Sequence, residues 1–145
     1  QSSVTERTEP LVGHLVCHAE KILSLKQVTN GGLIIGGGWP AKIDPKTKGL
    51  TGLAENVLAN VALACQMVPE LGGTRLLRSW AGINIRSDGK PFLGEVPGVP
   101  GFYNAVPPDA GLTMGPICAR LVAEQMTGRP TSLDIGMFSV ERAAP

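Results

Sequence analysis

Hydrophobic and polar positions change period along this chain, and each change marks an element. Ile22, Ser24 and Lys26 alternate with Leu23, Leu25 and Gln27, the period of a strand with one buried face. Thr29-Asn30-Gly31-Gly32 follows, a hairpin signal because the Asn-Gly pair tolerates positive φ, and Leu33-Ile34-Ile35 is the predicted return strand. Over Thr51–Val68 the period becomes helical. Leu53, Val57, Val61, Cys65 and Val68 form one apolar stripe, while Glu55, Asn56, Asn60 and Gln66 lie mostly elsewhere. Thr51 or Gly52 is placed to cap this helix, and Pro69 stops it.

The remaining segments are shorter. Ser3–Arg7 reads as an edge strand, Leu11–Val16 fits either period, and residues 41–50 read as a solvated lysine-containing loop. Leu71-Gly72-Gly73 is a turn, Thr74–Ile85 one long strand, Asp88-Gly89 a turn and Phe92-Leu93 a short strand. Pro97 to Pro100 is a bend, and Phe102–Val106 a strand. A last helix is predicted with Gly115 at its cap and Pro116 at its first position, where the missing N–H costs nothing. Ile117, Leu121 and Val122 give its apolar face, and Gly128 with Pro130 ends it. Residues 131–145 form a tail with Leu133, Ile135, Met137 and Phe138 as anchors, and there are no internal repeats. The fold class expected is α+β: a mostly antiparallel sheet covered by the long helix 51–68, followed by a C-terminal helix.

Composition narrows the partners. The 145 residues carry a net charge of +1 with no basic run, and aromatics are 4%. Nucleic acid and anionic membrane are therefore not expected partners. Gly 19 and Pro 12 are spread along the chain, as in a turn-rich sheet protein. Cys17, Cys65 and Cys118 are odd in number and lack metal-like spacing, which fits a reduced, cytoplasmic setting; Cys65 and Cys118 read as small core residues. No signal peptide or membrane-spanning apolar stretch is visible. The chain opens at Gln1 without methionine, and Thr5–Pro10 reads like the interior of a longer protein, so a processed chain or fragment is expected.

Candidate chemistry lies mainly toward the C-terminal end. Gly36-Gly37-Gly38 is not a phosphate loop, because Trp39-Pro40 follows where a helix would have to begin. His14 and His18 are four apart but have no third ligand, so no metal is expected. The segment from Val106 to Pro116 differs: a strand ends, two prolines and a loop follow, and a helix begins. Helix N-termini present unpaired N–H groups and about half a positive charge, a seat for an electron-rich group.

The order Trp80-Ala81-Gly82-Ile83-Asn84-Ile85-Arg86-Ser87-Asp88-Gly89-Lys90-Pro91-Phe92-Leu93-Gly94, then Gly101–Val106, then Gly111-Leu112-Thr113-Met114-Gly115-Pro116, resembles the C-terminal part of the FAD-dependent amino-acid and amine oxidoreductases. This is the family of D-amino-acid oxidase, glycine oxidase and the sarcosine oxidases. The resemblance implies FAD as cofactor, with the part that grips its ADP portion outside this chain. It also implies oxidation of a small amino acid or secondary amine to an imine, and a partner segment or subunit that completes the FAD site. Residues 1–100 would be the substrate-binding sheet domain and 101–145 the strand-loop-helix piece of the FAD-binding domain. In such proteins the loop runs beside the flavin ring, and the helix start faces its pyrimidine end. Gly111, Leu112, Thr113, Met114 and Gly115 match that group, with backbone N–H contacts expected and a hydroxyl from Thr113.

Three departures shape the substrate expectations. Val106-Pro107-Pro108 stands where the family often has Gly-His-Gly, which stiffens the loop and removes two amide donors. Asn84 occupies the position of a carboxylate-binding arginine. Arg86, two residues on along the predicted strand, faces the same side and is the expected replacement. Asp109 stands where some members carry a basic residue; it suits a cationic amine, or is a turn residue. Arg78 and Trp80 are further candidates for substrate contact, and no catalytic acid or base is named. Two rivals stay open: a non-catalytic fragment or substrate-binding module that needs a partner chain, and an interaction domain pairing through a bare sheet edge.

Overall fold

Two separate hydrophobic clusters organise the chain in a computed structural model that describes residues 1–143. Two compact units divide at Gly82, and the second begins at Ile83. No helix among the described residues is long and apolar enough to cross a membrane. The last two residues of the predicted tail, 144 and 145, lie outside the described residues.

The first unit contains β1 (Ser2–Arg7), β2 (Val16–Cys17), β3 (Ser24–Gln27), β4 (Gly32–Gly36), β5 (Lys42–Ile43), β6 (Leu50–Thr51), α1 (Ala54–Met67) and β7 (Leu76–Trp80). Five strands form an antiparallel sheet in the order β2-β3-β4-β1-β7, and β5 pairs with β6 as a separate ribbon. The predicted β3–β4 hairpin is present, with Leu25 opposite Ile35 and Gln27 opposite Leu33. Its turn differs from the one expected of Asn-Gly. Gly31 alone has positive φ, at 89°, while Asn30 instead accepts the Gly32 N–H on its side-chain oxygen. The N–H of Gly31 reaches the Val28 carbonyl and that of Val28 reaches the Gly32 carbonyl, a longer turn with one left-handed glycine.

Strand β1 is not the edge predicted for Ser3–Arg7. It sits inside the sheet, with Ser3 opposite Ile35 on one side and Ser79 on the other. Its polar side chains can be buried because each is bonded. Ser3 Oγ lies 2.7 Å from Ser79 Oγ, and Thr5 Oγ1 accepts the Leu33 N–H at 3.0 Å.

Helix α1 covers this sheet. Leu63 and Ala64 pack with Leu23, Leu25, Leu33, Ile35 and Leu71. Full burial of a Leu or Ile side chain contributes about 1.5–3 kcal/mol. The predicted stripe of Val57, Val61, Cys65 and Val68 is only half-buried, and the deepest face runs through Asn60, Leu63 and Ala64. Asn60, expected outside the stripe, is buried because its Nδ2 donates to the Gly36 carbonyl at 3.0 Å and ties helix to sheet. The cap predicted at Thr51 or Gly52 is absent. Leu53 is the N-cap, and Gln1 Oε1 accepts its N–H at 2.7 Å.

The second unit holds β8 (Phe92–Glu95), β9 (Tyr103–Val106) and α2 (Gly111–Met126), with one-turn helices at Gly136–Phe138 and Val140–Ala143. The β8–β9 hairpin spans residue 100, where the sequence suggested a domain boundary, with Leu93 opposite Ala105. Leu93, Cys118, Leu121 and Val122 form its core, joined by Tyr103, Met114, Ile135 and Phe138. Of the predicted tail anchors, Ile135 and Phe138 pack, while Leu133 and Met137 are exposed. The predicted strand Thr74–Ile85 shortens to β7, and residues 81–87 have no regular structure.

Helix α2 ends where expected. Gly128 takes φ 70°, its N–H bonds the Gln125 carbonyl, and the Arg129 N–H bonds the Glu124 carbonyl. That is the Schellman closure of a helix C-terminus. Its start differs from the prediction. The helix begins four residues before Gly115, so Pro116 lies inside it and leaves the Leu112 carbonyl without its usual donor.

Candidate functional site at the head of the second helix

The polar groups that could serve chemistry gather where β9 passes into α2. Val106 ends the strand, Pro107 and Pro108 carry the chain over, and Pro108 is buried. Asp109 then adopts φ 54°, a left-handed conformation that Asp tolerates better than most residues. It turns the chain into Ala110, the N-cap, which offers no side-chain cap.

The first intrahelical bond runs from the Met114 N–H to the Ala110 carbonyl at 2.8 Å. The N–H groups of Gly111, Leu112 and Thr113 therefore precede the helix ladder, and all three residues are exposed. Leu112 is 98% exposed. A Cβ built on Gly111 would meet nothing within 4 Å. Of the five matched residues, the free donors thus come from Gly111, Leu112 and Thr113. The Met114 N–H is used, its side chain packs into the core, and Gly115 lies inside the helix rather than at its cap.

Two of the predicted site residues are brought together. Asn84 Nδ2 donates to Asp109 Oδ1, joining the irregular stretch after Gly82 to the head of α2. Asp109 is thus both a turn residue and the acceptor of a side-chain bond. Arg86 is exposed and off any strand, so the alternation that aligned it with Asn84 does not hold. Trp80 belongs to the first unit, at the end of β7. There Arg78 places its guanidinium carbon 5.7 Å from the Trp80 ring centroid. No cluster of metal-ligating side chains occurs among the described residues.

The strongest polar group of this unit was missed from sequence. Arg142 holds both carboxylate oxygens of Asp88 at 3.0 Å, donates to the carbonyls of Lys90, Phe138 and Ser139, and lies 4.0 Å from the Phe92 ring centroid. The bonded guanidinium holds the Asp88 carboxyl well below the usual carboxylate range. Separated by 54 residues, the two carry no local pattern that links them.

The family model for FAD dependent oxidoreductases (DAO) matches residues 2–125. The chain belongs to this family. Glycine oxidase from Pseudomonas aeruginosa is 36% identical over 75 residues, covering 50% of this chain and 21% of that protein. Glycine oxidase from Geobacillus kaustophilus is 32% identical over 81 residues, covering 54% and 22%. Among solved structures, the G. kaustophilus glycine oxidase superposes with a TM-score of 0.75 at 23% identity, over 96% of this chain and 37% of that one. L-proline dehydrogenase from P. horikoshii gives 0.81 at 24% identity, over 98% and 39%. The DAO-family chain therefore has the mixed α/β fold of these proteins; its matched half spans about a fifth of the curated relatives' length, and nearly the whole chain covers 37% and 39% of the two solved proteins.

Proposed function

We propose that this chain is the C-terminal portion of a flavin-dependent enzyme that oxidises a small amino acid or secondary amine to an imine, completed by a further segment or subunit holding the rest of FAD. The observation that carries the reading is the head of α2, where the exposed residues Gly111, Leu112 and Thr113 precede the first intrahelical bond, inside a chain whose family match runs over residues 2–125. When bound, FAD supplies the acceptor for the hydride equivalent leaving the carbon next to nitrogen.

The chain's own groups supply placement and electrostatics. The three amides and the aligned peptide dipoles of α2 favour negative charge at the helix head, which favours electron acceptance there. The Thr113 hydroxyl adds one more donor. Asn84 holds the Asp109 carboxylate, which suits the positive end of an amine. Arg86 is an exposed cation available to a substrate carboxylate. Three unpaired cysteines fit a cytoplasmic protein.

The test is to express the complete protein, add FAD, and follow flavin absorbance under anaerobic conditions with glycine, sarcosine and proline. Bleaching by at least one of them is expected. A complete, folded protein that takes up no flavin sinks the reading. The second reading is a module that acts only with a partner chain. It predicts a colourless protein that gains flavin only when that partner is added.

A further inference from the structure

We propose that Arg78, on the open face of the five-stranded sheet, is the residue that holds the substrate carboxylate, with Trp80 as the wall beside it. The proposal rests on the amine-oxidation reading above and names the clamp that reading leaves to Arg86.

Side chains alternate across a strand, so the residues between core positions face away from the core. Leu25, Leu33 and Ile35 are buried against α1, which puts Lys26 and Ile34 on the opposite face. The register then places Lys26 opposite Ile34, Ile34 opposite Val4 and Val4 opposite Arg78, a single row across four strands. In the next row Ser2 lies opposite Trp80. A Cβ on Gly36 would stand 2.8 Å from Ser2 Oγ, so small residues floor the face there. The result is a low apolar platform with a half-exposed indole at one edge and a guanidinium next to it.

Arg78 is exposed and takes part in no ion pair among the described residues. Its guanidinium carbon sits 5.7 Å from the Trp80 ring centroid, within cation–π reach, and no salt bridge occupies its N–H fork among the described residues. It is mounted on a paired strand, which aims a side chain more exactly than a loop does. The other candidates are worse placed. Arg86 is on irregular backbone, and Asn84 has its amide committed to Asp109, whose carboxylate would repel another. Lys26 lies three strands away, about 14 Å at the usual strand spacing, too far to share one small carboxylate with Arg78.

The experiment uses the complete protein with Arg78→Ala, Arg78→Lys and, as a control on the same row, Lys26→Ala. Acetate serves as the inert carboxylate, and its binding to the flavin-free complete protein is read by titration calorimetry. Arg78→Ala should weaken acetate binding by about tenfold or more, the loss of a charged hydrogen bond, and should raise KM for glycine or sarcosine by a similar factor with a smaller change in kcat. Arg78→Lys should recover part of both, and Lys26→Ala should change neither. Should Arg78→Ala fail to fold, the comparison of Arg78→Lys with wild type decides: a planar fork replaced by a point charge must still cost affinity. Undiminished acetate binding in the arginine variants overturns the proposal, and so does an equal loss in Lys26→Ala. Acetate binding through Arg78 in a protein that takes up no flavin would uphold the clamp while sinking the amine-oxidation reading, so the two failures are distinct.

Discussion

At the scale of single residues, Arg142 ties three segments of the second unit together. It joins the last short helix to the Asp88 turn and stacks on Phe92 of β8. The main cause of the low Asp88 pKa is the guanidinium bond, and this has a definite sign for stability. In the unfolded chain Asp88 titrates near the ordinary value of about 3.9. In the fold it stays ionised to lower pH. The unfolded state therefore binds more protons in the acid range, and stability rises with pH there. The contribution is fully present above about pH 4 and fades as the pH falls through the depressed folded value. Urea midpoints measured from pH 7 down to pH 2 should show this loss, and Asp88→Asn should flatten part of it. Identical acid profiles for wild type and Asp88→Asn would mean that the pair contributes nothing to folding.

At the scale of elements, α2 shows both what local pattern can tell and where it stops. Gly115-Pro116 imitates a cap followed by a first helical position, yet the helix starts at Gly111 behind an uncapped Ala110. Helix propensity gave way to packing: Met114, one turn before Cys118, already reaches the core. Pro116 then carries a cost, since it removes one helix bond and crowds the Leu112 carbonyl. Pro116→Ala should restore that bond. It should stabilise the protein by about 1–2 kcal/mol, the interior proline penalty less the entropy that proline removes from the unfolded chain, read as a higher thermal midpoint. A lower midpoint would show that the Leu112 carbonyl is satisfied in another way. The β3–β4 hairpin and α1 were legible because their partners are close in sequence and their periods are clean. The interior position of β1 was not, because it depends on β7, whose first paired residue is Leu76. Residues 81–85 read as the end of a strand from their apolar content, and nothing local shows that pairing stops at Trp80. In the candidate site, the turn into α2 was visible from the two prolines, whereas the Asn84–Asp109 bond and the Arg142 cluster join distant positions that no local rule connects.

At the scale of the whole molecule, the reading depends on what the α2 dipole does with a flavin in place and without one. Leu112 separates the two because it is fully exposed in the first turn and outside the core cluster. A carboxylate there interacts favourably with the helix N-terminus, by about 0.3–1 kcal/mol. Leu112→Asp should therefore stabilise the flavin-free protein slightly. If the helix head faces the flavin edge that gains negative charge, the same carboxylate should oppose reduction. The two-electron potential of the complete enzyme should then fall by on the order of 10–30 mV, at about 30 mV for 1.4 kcal/mol. A purely structural helix start would show the first effect without the second. A redox titration alongside thermal melts of flavin-free protein tells them apart, and an unchanged potential in a stabilised variant would move the flavin away from α2.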